Sequence, residues 1–282
     1  MHEVSIAAEK IFTLFNWFPV TNTLFTCWVV MAILIILAIL GGRKIKEVPS
    51  GLQNIMESFI GGLEKVMESI VGSVTHAKEF FGIVATIFIF VLCSNWIGLI
   101  PGVGSIGFFE KEEIAATETV TETPVMDEEN NAEPAAAELS EGLAEKDAEA
   151  NHEKFTPLFR ASSSDLSFTI AIAIWAVIYV QYIGLKHLKL SYLKKFFNFK
   201  NPIHTFVGLL EIISEFAKMV SFSFRLFGNV FAGEVLLVVM TFLVPYIVPV
   251  PFYGLEVFVG AVQAGVFAAL TLVFLKSSLA HH

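Results

Sequence analysis

Four stretches of the chain carry no charge at all: residues 23–40, 80–101, 166–185 and 257–275. They run for 18, 22, 20 and 19 residues, close to the ~20 that a helix needs to cross the hydrocarbon core of a bilayer. In lipid every backbone N–H and C=O must be paired internally, and a helix does this within one segment. Each stretch therefore predicts a membrane-spanning helix. A fifth apolar region, from Ile203 to Phe242, is interrupted by Glu211, Glu215, Lys218, Arg225 and Glu234 and bracketed by Pro202 and Pro245. As one helix of about 40 residues it is ~60 Å long, twice the ~30 Å core. It must be steeply tilted or broken, and the lack of an internal proline favours one tilted or bent helix. Residues 251–276 then return as a second long helix. The pattern predicts an all-α polytopic membrane protein with about five membrane helices and a single membrane domain over residues 1–282.

Composition agrees. The 282 residues are 55 % hydrophobic and 16 % charged, with 28 Phe and a mean hydropathy of +0.69, which excludes an ordinary soluble enzyme and a nucleic-acid-binding chain. The net charge of −9 comes from one place. Residues 110–154 hold 15 Asp/Glu and 3 Lys, while the rest holds 12 acids and 15 bases. Low hydrophobicity and high net charge predict that the acidic insert, residues 104–157, is a disordered outer loop, most simply a spacer. Basic residues at Arg43, Lys44, Lys46, Lys65 and Lys78, and again at Lys186, Lys189, Lys194, Lys195 and Lys200, mark two cytoplasmic loops. The N-terminus is then outside and the C-terminus cytoplasmic. Segment 1–22 lies outside, and residues 6–18 suit a short interfacial helix with Trp17 and Phe18 at the headgroups. The first 20 residues carry Glu3 and Glu9 without a basic start, so no cleavable signal peptide is expected. Cys27 and Cys93 lie in apolar runs and read as packed thiols. The chain has no GxxxxGK[ST] loop and no HExxH, and its seven histidines are expected in loops and termini. No cofactor, nucleotide or metal site is expected.

Ionisable residues inside the membrane cost roughly 2.5–3.5 kcal/mol each and default to functional hypotheses. Glu211, Glu215, Lys218, Phe222, Arg225 and Asn229 follow one another at spacings of four and three, forming one helical stripe. Glu215 and Lys218 suit an i, i+3 pair that snorkels to the surface. Arg225 has no carboxylate at helical pair spacing, so its partner comes from another helix or another chain. Ser221, Gly228 and Ala232 form a strip of small residues beside it. They suit either close packing within the chain or a smooth face along which something slides. Glu234, nine residues on, points to the opposite side of a straight helix, where an unpaired Glu suggests an aqueous pocket. Glu256, Gly260 and Gln263 share a face of the last helix. A fold-back would set Glu256 near Glu234 and Gln263 near Arg225.

Residues 221–234, SFSFRLFGNVFAGE, resemble the signature of subunit a of the F-type ATP synthase. NWIGLIP at 95–101, SSDLS at 163–167 and VQAGVFAALTLVFL at 262–275 support the resemblance, which covers about residues 20–280 apart from the insert. It implies two long, steeply tilted helices forming a hairpin beside a rotating ring of subunit c. It also implies two aqueous half-channels carrying H⁺ or Na⁺, and a stator subunit that is not itself the catalyst of ATP chemistry. Arg225 maps to the essential arginine facing a ring carboxylate. Asn229 and Gln263 map to polar positions near it, and Glu234 and Glu256 to the half-channel relay. Glu211 and Lys218 suit a cytoplasmic-side channel or interface. Implied partners are the subunit c ring, the peripheral-stalk subunit b, the other synthase subunits and membrane lipid, with no nucleic acid, in a bacterial inner membrane. The sequence departs from the family's pattern by placing Glu at both relay positions, where many members pair Glu with His, and Met219 where Pro is common.

Two rival readings remain at this stage. A transporter or channel acting alone would often show internal repeats, which are missing. A scaffold with snorkelling charges would account for Glu215 and Lys218 but not for Arg225, Glu234 and Glu256 together.

Overall fold

The computed structural model describes residues 9–14, 18–42, 51–100, 102, 106–111, 153–189, 192, 202–245 and 247–279. It divides into two compact units, residues 1–106 with 158–282, and residues 107–157.

Among the described residues the first unit holds six α-helices, in order α1 (Asn22–Gly42), α2 (Leu52–Val71), α3 (Val74–Ile97), α4 (Leu166–Leu188), α5 (Pro202–Leu243) and α6 (Pro249–Leu279). All but α2 are long and apolar enough to cross a membrane. The five expected spans are therefore present. The charge-interrupted region forms one unbroken helix of 42 residues, or ~63 Å at ~1.5 Å per residue.

Three features depart from expectation. Helix α2 occupies what reads as part of a basic loop. Its apolar residues recur at helical spacing, and of these Met67 and Val71, one turn apart, are buried. Gly72 ends it in the left-handed conformation, at φ 75°, and donates its N–H to the Glu68 carbonyl at 2.8 Å. Second, the N-terminal segment is not a helix where it is described. Strand β1 (Lys10–Leu14) pairs antiparallel with β2 (Phe18–Thr21). The run Lys-Ile-Phe-Thr-Leu is rich in β-branched and aromatic residues, and Pro19 is tolerated in a strand that has an open edge. Residues 6–8 and 15–17, including Trp17, lie outside the described residues. Third, the second unit contains β3 (Gly107–Lys111) paired antiparallel with β4 (Glu153–Pro157), with Gly107 opposite Pro157 and Lys111 opposite Glu153. Most of the acidic insert, 112–152, lies outside the described residues, as do basic positions 43, 44, 46, 194, 195 and 200.

Two apolar clusters hold the bundle together. One joins α2, α3, α4 and α6 through Met67, Phe80, Val180, Ile183, Leu272 and Leu275. The other joins α3, α4, α5 and α6 through Val91, Ala173, Phe222, Leu226, Ala264 and Phe267. The small residues at four-residue spacing on α6 act as expected. Ala264 and Ala268 are buried, and a Cβ on Gly260 would lie 3.3 Å from Asn95 Cβ. Asn95 donates to the Gly260 carbonyl at 3.2 Å, and Trp96 Nε1 donates to the Val257 carbonyl at 3.1 Å.

The segment before α4 is also tied down. Asp165 caps α4 by accepting from the Ser167 N–H at 2.9 Å, and it accepts from Thr23 Oγ1 at 2.9 Å. Ser162 Oγ donates to the Thr23 carbonyl at 3.2 Å, and the Arg160 N–H donates to Thr26 Oγ1 at 3.2 Å. The SSDLS stretch is thus a helix cap locked to the first turns of α1.

Candidate ion-translocation site

Arg225 stands on the outward face of α5. It is exposed, as are Ser221, Gly228, Asn229 and Ala232 around it. Its neighbours Phe222, Leu226 and Val230 are buried on the inward face. The stripe read from spacing therefore runs along the border between these faces, with Phe222 on the inner side and Arg225 on the outer. Among the described residues no carboxylate pairs with Arg225. Among the described residues, no atom outside this helix's own backbone lies within 4 Å of a Cβ built on Gly228. Among those residues, close packing within the chain, one of the two readings of the small-residue strip, does not occur there.

Gln263 lies across from this face. Asn229 Nδ2 donates to Gln263 Oε1 at 2.8 Å, joining α5 to α6 one turn beyond Arg225. The fold-back joins Gln263 to Asn229, one helical turn from Arg225. Gln263 itself is buried, and its Nε2 has no hydrogen-bond partner.

Glu234 and Glu256 also converge. Glu256 is 7 % exposed. Its carboxylate lies against Gly233 so closely that a Cβ on Gly233 would collide with it. Glycine is required here because of this approach, not because of backbone conformation.

Glu234 is not the unpaired carboxylate expected from its place on the helix. Arg160 Nε reaches both of its oxygens, at 3.0 and 3.3 Å, and Nη2 reaches Oε2 at 3.2 Å. Arg160 is 8 % exposed, while the Glu234 side chain is 30 % exposed. Two adjacent N–H donors of a planar guanidinium on one carboxylate form a strong, oriented ion pair. Sequence reasoning missed Arg160. A signal was available: it is one of three arginines in the chain, and it sits just before a charge-free span at an end where basic residues are otherwise scarce.

Among the described residues several buried polar atoms lack hydrogen-bond partners: Ser94 Oγ, Asn95 Oδ1 and Ser163 Oγ, besides Gln263 Nε2. Buried polar groups are normally satisfied, and orphans of this kind are sites for ordered water.

Toward the other end of α5, Lys218 Nζ donates to Glu215 Oε1 at 2.7 Å, as the spacing implied. The same ammonium lies 4.8 Å from the centre of the Phe274 ring on α6. Glu211 and Glu215 face Tyr192, whose hydroxyl donates to Gln181 Oε1 at 2.6 Å. Burial, and then the charges of Glu215 and Glu211, push the Tyr192 hydroxyl up to about 12.

Five helices long and apolar enough to cross a membrane, one of them carrying an outward-facing arginine, define a multi-pass membrane protein. Residues 24–276 match the family described as ATP synthase A chain. The chain belongs to that family. It is 30 % identical to the ATP synthase subunit a of Gloeobacter violaceus over 93 % of this chain and 85 % of that protein. It is 28 % identical to subunit a of Citrifermentans bemidjiense over 90 % and 86 %. It is 30 % identical to "ATP synthase subunit a 3" of Pelobacter propionicus over 89 % and 85 %. Family membership supports a membrane-sector, ion-translocating role.

Proposed function

We propose that this protein is the stator of a rotary ATP synthase. It forms two ion half-channels beside the subunit c ring and couples H⁺ or Na⁺ flow to ring rotation and ATP synthesis. The observation that carries the reading is the exposed Arg225 on a strip of small residues with no carboxylate among the described residues to pair with. A guanidinium keeps its charge even at low dielectric. A ring carboxylate at about 4 Å would gain roughly 4 kcal/mol from it at an effective dielectric of about 20. Arg225 thereby favours the ion-free carboxylate, drives release, and bars leakage between the half-channels. Gly228 and its small neighbours let the ring pass closely.

The polar cluster of Glu234, Glu256 and the orphaned atoms near Asn95 suits the outer half-channel, and Glu211, Glu215 and Lys218 suit the cytoplasmic one. Asn229 and Gln263 line the approach to Arg225. A helix of ~63 Å in a core of ~30 Å fits a steep tilt, with α5 and α6 as the ring-facing hairpin. In this reading the N-terminus is outside and the C-terminus cytoplasmic in a bacterial inner membrane. ATP chemistry belongs to the soluble head, and subunit b and the remaining subunits complete the complex.

The test is ATP-driven ion uptake into inverted membrane vesicles, with and without Na⁺, for wild type and Arg225→Ala, with assembly checked on a native gel. Lost uptake with intact assembly is expected. Normal uptake with Arg225→Ala refutes the reading.

A further inference from the structure

Two carboxylates in one cluster raise the question of which one carries the ion. The structure treats them unequally. Glu234 is held by Arg160 through three contacts between 3.0 and 3.3 Å. Arg160 is itself fixed, because its backbone N–H donates to Thr26 Oγ1 and its side chain is almost fully buried. Glu256 is more deeply buried than Glu234 and is pressed against Gly233. An opposite charge at hydrogen-bond distance favours the ionised state of a carboxylate, and removing one partner of a buried pair leaves an uncompensated charge.

We infer that Arg160 is a positioning residue that pins Glu234 in a fixed ion pair and leaves Glu256 as the carboxylate that binds and releases the translocated ion. This rests on the stator reading above and sharpens it: the relay has one carrier and one electrostatic fixture. The ion reaches Glu256 from the outer water and leaves it toward the ring, while the Arg160–Glu234 pair stays closed throughout. Glu234 contributes its field and orientation without exchanging an ion.

The experiment uses the whole complex in inverted vesicles. It measures ATP-driven proton uptake by dye quenching and uptake of radiolabelled Na⁺, with assembly read on native gels. The variants are Arg160→Gln, Arg160→Lys, Glu234→Gln, the double Arg160→Gln/Glu234→Gln, and Glu256→Gln. Each charge-removing single in the pair is expected to lose about tenfold in uptake. The double is expected to lose no more than the worse single, whereas independent roles would multiply to about a hundredfold. Arg160→Lys, which keeps the cation, is expected to stay within about threefold of wild type. Glu256→Gln is expected to lose more than Glu234→Gln. If the singles fail to assemble because a lone charge is buried, the double decides, since it buries none. The inference is overturned if the losses multiply, if the double also fails to assemble, if Arg160→Lys is as poor as Arg160→Gln, or if Glu256→Gln transports normally. Arg225→Ala in the same vesicles separates the two levels. Its loss of uptake keeps the stator reading standing when the Arg160 result fails, and its retention removes both.

Discussion

Gly233→Ala tests the arrangement of the carboxylate cluster by adding a single methyl group. Helix propensity alone favours the change, since Ala is better than Gly in a helix interior by about 1 kcal/mol. The site opposes it. The new Cβ would collide with the Glu256 carboxylate, and Glu256 is buried, so that carboxylate has no open solvent to swing into. Forcing an extra methyl group into a packed site typically costs about 1–3 kcal/mol. The balance is a loss of about 0–2 kcal/mol, with the Glu256 side chain displaced. Gly228→Ala on the same helix is the matched control, because no side chain among the described residues lies within 4 Å of its added Cβ. There the propensity gain of up to about 1 kcal/mol stands alone for the fold of this chain. The assay heats the detergent-solubilised complex and follows release of this chain, alongside ion uptake in vesicles. Gly233→Ala should release earlier than wild type and transport less, and Gly228→Ala should not release earlier through any clash within the chain. If Gly233→Ala is as stable as Gly228→Ala and transports normally, the packing of Glu256 against α5 is not as described.

Three further outcomes are expected in the same assays. Asp165→Ala removes the cap of α4 and the bond from Thr23, and should cost about 1–2 kcal/mol in thermal stability. Lys218→Met strips the 2.7 Å partner from half-buried Glu215 and the cation from the Phe274 ring. A loss of about 1–3 kcal/mol is expected, and Lys218→Arg should recover part of it. Tyr192, held up to about 12 in the fold against an ordinary ~10, has a stabilising effect fully present below pH ~10 and lost as pH rises through ~12. Tyr192→Phe should therefore flatten the fall in stability between these pH values, and an unchanged slope would contradict the burial of this hydroxyl.

Much of the membrane architecture was legible in the chain. Charge-free runs of about 20 residues locate spans because a bilayer tolerates little else. The lack of an internal proline foretold that Pro202–Leu243 would be one helix. The four-residue spacing of Gly260, Ala264 and Ala268 foretold a close helix contact, although not that α3 would supply it. Helix α2 was readable in principle, since its apolar period is clear. A search for uncharged runs passes over it because it carries Glu57, Glu64, Lys65 and Glu68.

Local pattern determined which residues form spans, and which side chains lie along one side of a helix, because both follow from 3.6 residues per turn and the cost of charge in lipid. It also singled out Arg225, since no carboxylate stood at pair spacing. Tertiary structure decided what each charge meets. Glu234 and Arg160 are 74 residues apart in the chain, and no periodicity within one helix links them. Their contact depends on how the segment before α4 is pinned to α1 by Thr23 and Thr26. The collision that reserves position 233 for glycine likewise exists only once α6 lies against α5. Spans are a local agreement between sequence and solvent, but pairing among buried charges is settled by where separate segments are brought together.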